Sequence, residues 1–397
     1  MPSQPRTATL EQVGSVPAYW SGVLAMTLCV FTLIASEFLP VSLLTPIAAE
    51  FGVGEGLAGQ GLTISGVFAV LTSLSIASLA GRMNRKTLML LLTALMVVSG
   101  ATVALAPTFT VYMIGRALIG VVIGGFWSLS AAVAMRLVPP HQVPRALGIF
   151  NGGNAVAMVV APPLGAWLGE AIGWRGAFFC LVPVGLAVLL WQWRSLPSMR
   201  AEARSAAPTA VFKLLTRPPV AVGMLAVGVF FMGQFSLFTY VRPFLETVTR
   251  VEVSTLSWIL MGIGAAGVFG TTLVGFVLNR HLYRTLMLIP LLMAGVAVAL
   301  TLFGHRVWPV AALLGFWGLV ATAAPAGWWT WIARALPDDA ETGGGLMVAV
   351  IQLSIALGSS VGGVLFDTRG YQTTFLVSAA LLLAAVTLAF FTRRTES

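Results

Sequence analysis

A chain of 397 residues in which 58% are hydrophobic and 9% charged is not that of a water-soluble protein, since a soluble domain carries roughly 25% charged residues. The net charge of +9 would suggest nucleic acid in a soluble chain. Here the basic residues fall between apolar runs, so the lipid bilayer is the expected partner and nucleic acid is not.

Abundant glycine (42) and proline (21) suit closely packed, locally broken membrane helices. The predicted class is an all-α membrane protein with twelve transmembrane helices in two six-helix halves. The apolar runs lie at 19–45, 57–80, 87–106, 109–135, 146–169, 174–193, 219–241, 255–278, 285–303, 309–333, 343–366 and 371–392. Each is long enough to cross a core of roughly 30 Å. The first, from Tyr19, is too long for a cleavable leader, and many like it follow. Cys29 and Cys180 fall inside apolar runs and read as small buried residues.

Loops are short except 194–218 (RSLPSMRAEARSAAPTAVFKLLTRP), a polar linker. It divides the chain into a first half at 19–193 and a second at 219–392, with tails at 1–18 and 393–397. With the N-terminus inside, sixteen lysines and arginines fall in inner segments. Five fall in outer ones: Arg175, Arg242, Arg250, Arg306 and Arg369. That asymmetry predicts cytoplasmic termini at both ends.

The halves repeat. Met135-Arg136-Leu137-Val138-Pro139 after the fourth span matches Ala333-Arg334-Ala335-Leu336-Pro337 after the tenth at an offset of 198, and Arg82 matches Arg280 at the same offset. APPLGAWLGEAIGWRGAF (161–178) parallels GSSVGGVLFDTRGYQTTF (358–375) at an offset of 197. Two parallel halves with a site near the midplane are a transporter architecture.

The first span holds TLIASEFLPVSLLTP (32–46), which places Glu37 among residues suited to hydrocarbon. An ionised carboxylate there is expensive, so it pairs with a cation or takes up a proton. A carboxyl that does both in turn carries protons. Arg116, in the fourth span, is the other intramembrane charge. Counted from the outer ends of their spans, both lie roughly 10–14 Å deep, a shared depth that allows pairing. Two readings stay open: a proton-coupling site shared with substrate, or a static ion pair joining two helices. Pro40 and Pro46 follow Glu37, and Pro243 occupies a similar place in the seventh span near Tyr240. Each removes a backbone donor and loosens its helix.

These features together resemble the major facilitator superfamily over the whole chain. The loop ASLAGRMNRKTL (77–88) is similar to its gating-loop signature through Arg82, Arg85 and Lys86. Gly81 stands where an aspartate is expected and Asn84 where a second glycine is. The second copy, GFVLNRHLYR (275–284), keeps Arg280 with Asn279 at the acidic position. Gly115-Arg116-Ala117-Leu118-Ile119-Gly120 resembles the fourth-span motif of proton-coupled members. Gly148, Pro162 and Gly165 resemble the fifth-span antiporter motif. More narrowly, EFLPVSLLTP (37–46), GGFWSLSAAVAMRLVPP (124–140), GQFSLFTYVRP (233–243) and IQL (351–353) are similar to bacterial purine ribonucleoside efflux pumps.

The resemblance implies a proton-coupled antiporter exporting small solutes, purine ribonucleosides and analogues foremost, from the bacterial cytoplasmic (inner) membrane by alternating access. It implies a monomer with small-molecule substrate and protons as partners. The alternative is sugar or broad drug efflux. A nucleoside needs flat apolar surface and polar groups for its edges. Candidates on the spans that line the family's cavity are Phe126, Trp127, Ser128, Asn151, Asn154, Gln234, Phe238, Tyr240, Trp317, Trp328 and Gln352. For the amides, helix-to-helix bonding is the competing role; for the aromatics, packing. Trp329 and Trp331 read as membrane-interface residues.

Other motifs carry no chemistry. Gly262-Ile263-Gly264-Ala265-Ala266-Gly267 sits inside a span with no preceding strand, where small residues let helices approach. Gly358-Ser359-Ser360-Val361-Gly362 also lies mid-membrane, and His141, His281 and His305 all map to loops, so no catalytic dyad or metal cluster is expected. Neither Lys86 nor Lys213 completes a P-loop. No enzyme activity and no cofactor are expected, and the proton gradient is the expected driving force.

Overall fold

The computed structural model describes residues 18–80, 83–139, 142–199, 213–336 and 340–396, among which there is no strand. The first half consists of α1 (Trp20–Phe51), α2 (Glu55–Ala80), α3 (Arg85–Ala104), α4 (Phe109–Leu137), α5 (Val143–Phe179) and α6 (Leu181–Ser195). The second half begins with α7 (Pro218–Phe238), which gives way at Tyr240 and Pro243 to a short helix, Val241–Phe244, and a π-helical turn, Leu245–Thr249. Then come α8 (Val253–Phe303), α9 (Val307–Ala321), α10 (Ala324–Ala335), α11 (Ala340–Arg369) and α12 (Tyr371–Glu396).

Helices and crossings do not coincide everywhere. The apolar stretch Gly152–Ser195 has 44 residues, about 66 Å as a straight helix, and so must cross twice. Gly173, at φ 75° and ψ 161°, makes the bend. The 51-residue α8 breaks at His281 (φ −135°, ψ 40°) into two crossings. A single crossing is shared by α9 and α10. Pro325 cannot donate to the carbonyl of Ala321, so the helix is interrupted there, and the Thr322 hydroxyl donates to Gly318 O and, on α8, to Gly267 O. Among the described residues the crossings total twelve. Large apolar side chains such as Leu71, Phe269, Leu302 and Trp308 face outward, as lipid requires. Cys180 departs from expectation: it is exposed, because it lies at the junction of α5 and α6 on the outward side.

The sequence repeat is also a repeat of contacts. Gly120 and Gly124 of α4 lie against the backbone of Ser65 and Ala69 on α2, so closely that a β-carbon would overlap it. At an offset of 198, Gly318 lies in the same way on Ile263 and Thr322 bonds Gly267 at 2.8 Å. At an offset of 197, Gly165 of α5 against Leu39 of α1 corresponds to Gly362 of α11 against Ser236 of α7.

The halves meet along α2 and α11 and along α5 and α8. The bonded part of the first seam runs towards the face opposite the termini, which is the outer face on the topology expected from the loop charges. There Asp367 accepts the Gly56 N–H at 2.8 Å, Ser360 meets Gln60 and Thr63 at 2.8 Å each, and the Tyr240 hydroxyl lies against Gly59.

Overlap with rigid backbone predicts that Gly124→Val destabilises the fold by roughly 1–3 kcal/mol, the usual range for overpacking. Gly295→Val, with nothing within 4 Å of its β-carbon position, should change little. Thermal midpoints of the two purified variants test this.

Candidate functional site

The site is built from α1 outward. Pro40 lacks the N–H that would bond the carbonyl of Ser36. Arg116 of α4, fully buried, supplies the missing donor: its Nη1 reaches Ser36 O at 2.7 Å. Its Nη2 donates to the main-chain carbonyl of Glu37 at 2.9 Å and its Nε to Gly61 O on α2 at 3.3 Å. The guanidinium is thus spent on backbone, and Arg116 and the Glu37 carboxylate do not form the ion pair that their shared depth allows.

The Glu37 side chain is 4% exposed and points instead to the second half, where Oε1 accepts from Gln352 Nε2 of α11 at 3.3 Å. Beside it, Phe38 stacks on Phe235 of α7 with centroids 5.8 Å apart, and Phe235 contacts Phe238 edge-on at 6.0 Å. A carboxyl with one amide donor and no bound cation lies between the two halves.

The remaining candidates separate by position. Gln234, half-buried, has an Oε1 without a partner, and the buried Trp317 has an indole N–H without one. Asn154 and Trp127 are half-buried, Phe126 is buried edge-on to Trp127, and the exposed Ser128 returns its hydroxyl to Gly124 O of its own helix. Trp328 is packed against Phe230 and Trp331. Trp331 is fully buried against Gly223 of α7, not at a membrane interface, because the bare glycine makes room for its indole. Tyr240 is part of the outer seam: its hydroxyl donates to Ser359 O at 2.7 Å and its ring stacks on Phe366.

In the loop before α3, Asn84 caps the helix by accepting from Lys86 N at 2.9 Å, and it accepts from Met199 N as well. This gives a physical use to a residue that departs from the signature. Arg85 begins α3 beside it. Arg82 lies outside the described residues, as do the side chains of Asn151 and Arg280; Gly148 is helical backbone in α5. Pro162 lies within α5, and Gly165 sets the approach of α5 to α1 at Leu39 and Ser42.

Arg242 was counted from sequence with the outer loops. It is 6% exposed, binds Glu246 and donates to Ser42 O of α1. Its place beside Pro243, in the register of Thr45-Pro46 at an offset of 197, was the signal.

The model of the Major Facilitator Superfamily matches residues 26–252 and 243–397. The chain belongs to this superfamily. It is therefore a multi-pass membrane transporter of small molecules, not an enzyme. A relative named purine ribonucleoside efflux pump NepI, from Escherichia coli (strain K12), is 40% identical over 364 residues, 92% of each chain. A relative named transcription regulatory protein OpdE, from Pseudomonas aeruginosa (strain PAO1), is 64% identical over 392 residues, 98% of this chain and 96% of that one. A bacterial homolog of the human lysosomal transporter Spinster, solved inward-facing and occupied, superposes with a TM-score of 0.78 at 17% identity, over 96% of this chain and 98% of that one. The human organic anion transporter MFSD10 gives 0.69 at 16%, over 94% and 100%. These two likenesses are of fold alone.

Within this superfamily fold, Arg116→Met leaves the Ser36 carbonyl unsatisfied, which predicts a loss of roughly 1–3 kcal/mol. Pro40→Ala restores the intrahelical donor, so adding it to Arg116→Met should recover part of that loss. A double-mutant cycle on thermal stability measures the coupling.

Proposed function

We propose that the protein is a proton-coupled antiporter that exports small solutes, purine ribonucleosides and their analogues foremost, across the bacterial cytoplasmic membrane by alternating access. Both termini are cytoplasmic in this reading, the working unit is a monomer, and the proton gradient drives the cycle without a cofactor. The observation that carries it is Glu37, a buried carboxyl bonded across the halves to an amide and not to a cation.

An ionised carboxylate so placed is costly, and the Gln352 amide serves either protonation state: its NH2 donates to a carboxylate and its carbonyl accepts from the acid. Proton and solute therefore compete for one junction between the halves. The partnerless Gln234 carbonyl and Trp317 N–H offer an acceptor and a donor to a polar solute. Phe235 and Phe238 offer a face for a flat base. The name of the 40% identical relative supports the nucleoside class; sugars and cationic drugs are the alternative.

A second reading comes from the 64% identical relative, whose name is that of a regulator. Export of an inducing solute changes gene expression without any contact with DNA, so the two readings share one chemistry.

Inosine uptake into inverted vesicles with an acidic lumen tests the proposal. The wild type should accumulate inosine only while the gradient lasts. Glu37→Gln should lose at least tenfold of that accumulation yet retain inosine–inosine exchange. Equal accumulation by the variant overturns the coupling role, and no inosine movement by the wild type overturns the substrate class.

A further inference from the structure

We infer that Arg242 is the latch of the outer gate and that it works through a backbone carbonyl which Pro46 leaves free. Pro46 lies inside α1 and has no N–H for the carbonyl of Ser42, four residues back. In a membrane such a carbonyl must find a donor elsewhere. The donor comes from the other half: Arg242 Nη1, on the short helix after α7, bonds Ser42 O. The guanidinium is aimed by Glu246 one turn on, whose Oε1 accepts from Nε and Nη2 at 2.8 Å each.

The same device occurs twice on α1, and the comparison separates latch from strut. Pro40 frees Ser36, which Arg116 takes up from within the first half. That contact does not change when the halves move as bodies. Pro46 frees Ser42, and its partner belongs to the second half. That contact must break whenever the outer face opens, because α1 and the turn after α7 then separate.

Breaking it leaves both groups served. Water entering from the outer face solvates the Ser42 carbonyl, and Arg242 keeps Glu246. The second oxygen of Glu246, buried and without a partner in the closed state, then becomes available for a two-pronged grip on the guanidinium. Tyr240 against Gly59, and Asp367 at the Gly56 N–H, close the same face beside it.

The latch requires only that the halves part at the outer face, so its test involves neither solute nor proton gradient, and its failure is separable from that of the Glu37 reading. Spin labels at Leu57→Cys and Thr368→Cys, exposed at the outer ends of α2 and α11, in a Cys29→Ala, Cys180→Ser background, report the gap by pulsed electron resonance. Without further change the short distance should dominate. Arg242→Gln should raise the long-distance fraction at least threefold. Pro46→Ala, which leaves Arg242 intact but gives Ser42 O an intrahelical donor, should do the same. The two together should do no more than either alone, since they remove one interaction. Thermal midpoints show that each variant is folded; Pro46→Ala restores an ordinary helix and tests the idea even if Arg242→Gln unfolds. Parental distances in Pro46→Ala, or effects that multiply in the double variant, would overturn the latch.

Discussion

Inside a bilayer a carbonyl without a donor has no water to turn to, and α1 creates two of them. Pro40 and Pro46 free the carbonyls of Ser36 and Ser42, and the neighbouring helices are arranged to answer. The bare glycine face of α4 brings it against α2 closely enough for Arg116 to extend to α1. A guanidinium presents several N–H groups in a fixed fork, so one side chain joins Ser36, Glu37 and Gly61. Its hydrogen bonds go to carbonyl oxygens, and it forms no ion pair with the Glu37 carboxylate. That division leaves the Glu37 carboxyl available to the opposite half.

The halves share their packing register, so their differences are informative. At the α1–α7 offset of 197 Glu37 corresponds to Gln234, and at the α4–α9 offset of 198 Arg116 corresponds to Leu314. The carboxyl thus has an amide counterpart and the guanidinium an apolar one. The charge is therefore one-sided while polarity is not, and the repeat-related Phe38 and Phe235 stack on each other between the halves. Gln352 is the second half's polar contribution to the junction, and it comes from α11, whose close approach to α2 is set by Gly66 against the Gln352 backbone. Small residues at the seam thus position the amide that meets the carboxyl.

Much of this was legible in the sequence because it depends on period and spacing. Span lengths, the 197–198 offset and the sign of the loops are one-dimensional facts, and the contacts at Gly120 and Gly318 fall in the register they imply. What was not legible depends on helix rotation. Nothing in the spacing of Arg116 and Glu37 shows that the arginine turns to main chain and the carboxyl to the other half. Trp331 reads as an interface residue until Gly223 is seen opposite it. Tyr240 reads as a cavity residue until α7 is seen to break just before it and deliver it to the seam. Arg242 was hidden for a different reason: a basic residue near a span end carries a topology signal whether or not it also bonds backbone.

The partner chosen for Glu37 bears on what the site can do. A cation held beside a carboxylate favours the ionised form so strongly that proton return must first break a charge pair in a medium of low dielectric. An amide has no such preference, since it donates through one atom and accepts through another. With Arg116 committed to carbonyls, the carboxyl faces a Gln352 amide that now donates to it and that has, in its carbonyl, an acceptor for the protonated form. Pro40 helps to make the arrangement possible, because it frees the Ser36 carbonyl to take one prong of the guanidinium.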